Sequence, residues 1–315
     1  TPAPRYAPVA RGVTSRMSTL VLRERIHERV LLLGNRFRVI RSIDVAASCF
    51  PERPFKAALT AAQRALRGMT KARLLARYRT DRQQTVYAIT ARGAAWLNDA
   101  GHDGAPSVRR VSDMSNPEHR LWLQFAVIAC EARGLVALSE SETLARIASQ
   151  TDAGKKQAQG MLEVAYTYRR RTVRQQLRPD ALALEADSAT WFEIDASKRG
   201  AARETALAAL VMSIGGRLAF GPRLRRVVVL TKTERIRKRA HAVLNDLVHS
   251  TKGQVLIDAR RQVKKVDDNV YEIWGAVEKR YPDGRTAFID AWLGHVIVQP
   301  LPVWLPKLRV QAGGE

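Results

Sequence analysis

Lys56, Thr60, Gln63, Arg64 and Arg67 recur at intervals that gather side chains on one face of an α-helix. Arg and Gln end in paired hydrogen-bonding groups that match the edges of nucleic-acid bases, and Lys and Arg neutralise phosphate. Phe55, Leu59, Ala62 and Leu66 interleave with them at steps of four, three and four, which predicts a buried opposite face. Arg53, Lys71, Arg77, Arg79 and Arg82 extend the cationic set. From residue 36 to residue 92, thirteen Lys/Arg stand against Asp44, Glu52 and Asp81 alone. A surface of that kind binds polyanions and releases their counterions, so its affinity should fall steeply with salt. A second basic run, Arg169-Arg170-Arg171 with Arg174 and Arg178, offers planar guanidinium forks suited to phosphate. A third grouping is acidic: Asp180, then Glu193 and Asp195, two apart and so on one face of a strand. As solvated groups, or as partners of Arg178 and Arg199, these acids need no chemistry.

The elements that position these groups are set by apolar spacing and turn chemistry. Helical periodicity runs from Leu20 to Leu33, and Gly34-Asn35 is expected to end it. A short helix from Ser42 to Ser48, with Ser42 as cap, precedes the turn marked by Pro51 and Pro54. The helix from Pro54 to Gly68 then presents the polar face. Leu74–Arg79 and Gln84–Thr90 read as a hairpin around residues 80–83, with Thr90 capping a closing helix.

Residues 101–116 read as a linker. This divides the chain into a basic arm (1–19), a first domain (20–100), the linker, and a second domain (117–315). The second domain is expected to hold a helix from Pro117 to Arg133 and another within Ser139–Thr151. Gly154–Tyr168 is open between helix and strand. A hairpin of Pro179–Glu185 and Thr190–Asp195, a helix from Ala201 to Ile214 and a buried strand Arg226–Thr231 come next. The helix Glu234–Val248 and a strand Gln254–Asp258 are expected to complete a βαβ unit. The fold class is therefore α+β in two domains.

With 315 residues and a net charge of +23, the chain calls for a polyanionic partner. Cys49 and Cys130 lie in apolar contexts and read as small core residues in a reducing, cytoplasmic setting. No apolar run approaches the roughly 20 residues of a membrane span. Thr1–Ser18 is basic and lacks the apolar stretch of a secretory signal. His102 and His119 stand isolated, and Gly215-Gly216 lacks the Lys-Ser/Thr of a nucleotide cradle.

Three resemblances add to this reading. Residues 22–100, ending in Val86-Tyr87-Ala88-Ile89-Thr90-Ala91-Arg92-Gly93-Ala94-Ala95-Trp96-Leu97, resemble a winged helix-turn-helix. Pro179-Asp180 followed by Glu193-Ile194-Asp195 is similar to the PD-(D/E)xK nuclease core, with its strand-strand-helix-strand order. That resemblance implies Asp180 and Glu193 as ligands of Mg²⁺, which stabilises charge on phosphoryl oxygens. It departs at Asp195, where the family carries its catalytic Lys; Lys198 is the nearest substitute. The combination resembles the replication-relaxation family of plasmids and integrative elements.

Together these resemblances imply a sequence-specific double-stranded DNA-binding protein, an accessory factor in mobilisation or replication with a relaxase as partner. DNA binding requires no cofactor, and a degenerate nuclease core implies no catalysis. Two alternatives stay open: a Mg²⁺-dependent endonuclease using Asp180, Glu193, Asp195 and Lys198, and a transcriptional regulator. No heptad seam decides between monomer and homodimer.

Overall fold

The computed structural model describes residues 19–79, 84–107, 117–150, 161–168, 170–195, 201–219, 221–252 and 261–301. These fall into two compact units, one up to Leu135 and one from Val136 onward. The molecule is mixed α+β, with one large mixed sheet. Among the described residues no helix is long and apolar enough to cross a membrane.

The first unit contains α1 (Thr19–Phe37), β1 (Val39–Ile40), α2 (Ser42–Cys49), α3 (Phe55–Lys71), β2 (Leu75–Arg79), β3 (Thr85–Ile89), α4 (Ala91–Asp99) and α5 (Pro117–Glu131). Its three strands form an antiparallel sheet in the order β1-β3-β2. Leu31, Ala62, Leu66, Ile89 and Leu97 share one core with Phe125 and Ile128 of α5. Burying each of the larger of these side chains contributes about 1.5–3 kcal/mol.

Three expectations about the first unit are corrected. The helix does not stop at Gly34-Asn35 but runs to Phe37, and Arg38, at φ 70°, turns the chain. Gly34 is instead a close-approach site, because a Cβ there would lie 2.9 Å from Ile89 Cγ1. Asn35 holds the segment after α4: its Nδ2 donates to Asp103 O at 2.9 Å, and its Oδ1 accepts from Ala105 N at 3.1 Å. The start of the expected linker is therefore bound structure. Ser107 is buried and exchanges two bonds with Ile89, from its own N to Ile89 O and from Ile89 N to its Oγ, each 3.0 Å. Residues 108–116 lie outside the described residues. The expected boundary before residue 117 also moves, since α5 packs on the first unit through Leu121, Phe125 and Ile128.

Arg41, not Ser42, is the N-cap residue of α2: its backbone N donates to Asp44 Oδ2 at 2.7 Å, and its own side chain caps no backbone N–H of the helix. Thr90 does cap α4, accepting from Gly93 N at 3.1 Å while its hydroxyl donates to Arg73 O at 2.6 Å. Burial pushes the thiols of Cys49 and Cys130 up to about 12. Only thiolate attacks disulfide reagents. The native chain should therefore react slowly with an aromatic disulfide at pH 8, and urea should release both thiols. Fast reaction of the folded chain would contradict this burial.

The second unit contains β4 (Val136–Ser139), α6 (Glu140–Gln150), β5 (Leu162–Tyr168), β6 (Arg171–Leu177), β7 (Ala181–Leu184), β8 (Ser188–Asp195), α7 (Ala201–Met212), β9 (Arg223–Thr231), α8 (Glu234–Thr251), β10 (Arg261–Asp267), β11 (Val270–Arg280) and β12 (Thr286–Pro300). Seven of these strands form one sheet in the order β10-β11-β12-β9-β8-β7-β4, and β5 pairs with β6 separately. β9 lies between two parallel neighbours, β8 and β12, which explains its buried run from Val227 to Thr231. β8 and β9 are joined through α7. Leu207, Leu210 and Val211 of α7 and Ala240 and Leu244 of α8 close one core with Trp191, Val227, Tyr271 and Val296.

The segment Gly154–Tyr168, left open by its sequence, contains strand β5. The expected strand Gln254–Asp258 lies outside the described residues. The C-terminal segments, which had no expected place, supply β11 and β12, and β12 pairs in parallel with β9. There Gly294 of β12 presses against the Arg225 carbonyl, with φ 157°, and a Cβ would collide with that oxygen.

Candidate nucleic-acid interface

The surface of α3 is divided by helical geometry. Lys56, Thr60, Gln63, Arg64, Arg67 and Lys71 are all exposed and span an arc of about 100° at 3.6 residues per turn. Ala58, Ala62, Leu66 and Met69 are fully buried on the opposite side. The expected apolar stripe shifts accordingly. Phe55 is 40% exposed at the first turn, and the helix continues past Gly68 to Lys71. Thr60 Oγ1 donates to Lys56 O at 2.9 Å, and Arg67 Nε donates to Gln63 O at 3.3 Å. Lys56, Gln63, Arg64 and Lys71 make no side-chain hydrogen bond or ion pair with the described residues. Their donors face solvent and are available to an incoming acceptor.

The turn between α2 and α3 is held at both ends. Phe50 N donates to Ala46 O, and Arg53 N to Phe50 O, each at 3.1 Å. The Arg53 guanidinium stacks 4.9 Å above the Phe50 ring and lies 3.6 Å from Glu52, so its charge stays at the turn. Behind the turn sits a buried polar cluster. Asp44 is fully buried and accepts from Arg41 N at 2.7 Å, from Arg41 Nη2 at 3.2 Å and from Gln124 Nε2 at 2.8 Å. Arg41 also donates to Leu121 O at 2.6 Å and lies over the Trp122 ring at 4.8 Å. This cluster ties α2, and through it α3, to α5. Sequence reasoning missed it, because Arg41 followed by Asp44 lacks the Ser or Thr that marks a capping box, and Gln124 lies far along the chain.

The hairpin of β2 and β3 carries Arg77 and Arg79, both exposed and on the same strand face. Arg82 lies outside the described residues. In the second unit, Arg170 turns the β5–β6 hairpin at φ 62°, and Arg171 and Arg174 are exposed on β6. Alternation sends Arg171 and Arg174 to opposite faces, so this basic run does not converge as a single patch. Arg174 lies 4.0 Å from Glu163, and Arg178 3.9 Å from Glu140. Arg169 is outside the described residues.

Asp180 and Glu193 come together at one end of β7 and β8. Asp180 N donates to Phe192 O at 3.1 Å, and its Oδ2 accepts from Ile194 N at 2.7 Å, bracketing Glu193. Glu193 Oε1 accepts from the Trp191 indole at 2.7 Å. The Asp180 carboxylate thus ties the start of β7 to β8, and that of Glu193 is engaged within β8. The Asp195 backbone pairs with Thr231; its side chain and Lys198 lie outside what is described. Among the described residues no group of three His, Cys, Asp or Glu is arranged to hold a metal.

Further along the same strands, a polar row passed over in the sequence stands in register: Thr190, Arg226 and His295. Arg226 donates to His295 Nε2 at 3.0 Å and to Thr190 Oγ1 at 3.1 Å. Burial, and then the charge of Arg226, lower the His295 pKa, which keeps that nitrogen an acceptor. The chain matches no family model, no curated protein and no solved structure.

Proposed function

We propose that the chain is a sequence-specific double-stranded DNA-binding protein whose first unit is a winged helix-turn-helix. In this reading α3 enters the major groove, and the β2–β3 hairpin meets the backbone or the neighbouring minor groove through Arg77 and Arg79. One observation carries it: the exposed arc of Lys56, Gln63, Arg64, Arg67 and Lys71 lies directly opposite the buried stripe of α3. The element order α1, α2, turn, α3, hairpin, α4 supports the same reading.

The order β7, β8, α7, β9, with Asp180 beside Glu193, favours a PD-(D/E)xK-like core for the second unit. Asp195 in place of the family's Lys, and carboxylates already bonded to Ile194 N and the Trp191 indole, favour a core without catalysis. The resemblance to the replication-relaxation family suggests the setting: an accessory factor in plasmid or integrative-element mobilisation or replication, with a relaxase as partner.

Binding of a fluorescent duplex, followed by anisotropy across a salt series, tests the reading. Arg64→Ala should weaken binding to the selected site by about 1–3 kcal/mol, while Arg79→Ala should weaken all sequences alike. Equal affinity of Arg64→Ala and the parent would reject the placement of α3. A nicking assay with Mg²⁺ should show no cleavage. Cleavage lost in Asp180→Ala would establish the endonuclease instead.

A further inference from the structure

An open cleft of about 470 Å³ lies on the first unit, where α1, the C-terminal turns of α3 and α4 meet. Arg23 and His27 of the cleft come from α1, Gly68 from α3 with Ala72 just beyond it, and Arg92 and Trp96 from α4. Each of these pairs is spaced one helical turn apart. Buried Leu74 adds an apolar surface. Gly68 leaves open space on its side: a Cβ there would meet no atom within 4 Å. Arg23 and Arg92 are exposed and form no ion pair or hydrogen bond with the described residues, and Asp99, the acid on the cleft wall, pairs with neither. Two uncompensated guanidinium forks beside a half-buried indole make a site with a cationic rim and an apolar, aromatic interior.

We infer that this cleft binds a small planar organic anion, an aromatic carboxylate, with Arg23 and Arg92 holding the carboxylate and Trp96 facing the ring. Guanidinium forks pair with carboxylate through parallel N–H···O bonds. An aromatic body fits against Trp96, Leu74 and Ala72, and the volume is in the range of small-molecule sites. His27 is half-buried at the same wall. Burial, and then the charge of Arg23, lower its pKa, so near neutral pH it offers a hydrogen bond without a third charge. The site is separate from the polar arc of α3, and its occupancy can be measured without DNA.

Titration of the full chain with salicylate by isothermal calorimetry tests the inference, with benzamide as neutral comparison and inorganic phosphate as anion without a ring. Salicylate should bind with a Kd of about 1 mM or tighter, and benzamide at least about tenfold more weakly. Arg23→Gln and Arg92→Gln, both at exposed positions, should each weaken salicylate about tenfold without moving the thermal transition. The Trp96 indole proton, assigned with Trp96→Phe, should shift on binding. The inference is overturned by absent binding at about 10 mM, by equal binding of benzamide or phosphate, or by unchanged affinity in both arginine variants. Displacement of salicylate by duplex DNA, with Arg23→Gln weakening DNA of every sequence, would identify the cleft as a seat for backbone phosphate and overturn it as well.

Discussion

Asp44→Ala should destabilise the first unit by about 3–5 kcal/mol, because it removes one partner of a buried ion pair and strands the other. Asp44 is 0% and Arg41 7% exposed. Without the carboxylate, the Arg41 guanidinium keeps Leu121 O and the Trp122 face but loses its counter-charge, and Gln124 loses one of its two acceptors. The N-terminus of α2 also loses the acceptor for Arg41 N. Urea unfolding followed by near-ultraviolet circular dichroism reads the effect. Asp44→Asn, which retains acceptor capacity but not the charge, should recover part of the loss. A change below about 1 kcal/mol would mean that water already compensates Arg41 and that the cluster does not brace α2 and α3.

Trp191→Ala should cost the second unit about 3–5 kcal/mol through the cavity it leaves. Trp191 is fully buried in the core closed by α7 and α8. Its indole also donates to Glu193 Oε1, so the substitution removes a bond to a carboxylate together with the packing. Trp191→Phe separates the two contributions, since it preserves much of the ring and removes the donor; a loss of about 1–3 kcal/mol is expected. Glu193→Gln retains an acceptor for the indole and should cost less than Glu193→Ala. If Glu193→Ala and Glu193→Gln leave the unfolding transition where it was, the bond between the Trp191 indole and Glu193 does not stabilise the second unit.

The first unit was legible because its signals are local. Apolar residues at helical spacing, Pro54 at a helix start, Thr90 before a run of small residues and the alternating Thr85–Ile89 stretch each specify an element within a few positions. The same locality misled at Gly34. A glycine marks either a left-handed turn or a close approach, and only the position of Ile89, far along the chain, shows that it is the second. The boundary before α5 failed for a related reason. Gly and Pro mark where regular structure pauses, not which core the next helix joins, and α5 joined the first core through Phe125 and Ile128.

The cationic balance, the polar face of α3, the hairpins and the carboxylate spacing were all readable from the order of residues. Charge is additive, and side-chain periodicity depends on neighbours three, four or two positions away. Which distant residues share a space was settled by folding alone. Folding brought Gln124 to Asp44, set β12 beside β9, seated Asp180 against Ile194 N, and drew three helices around Arg23, Arg92 and Trp96. These contacts join groups far apart in the chain. They form when apolar faces find their partners, and no local pattern encodes which partner that will be.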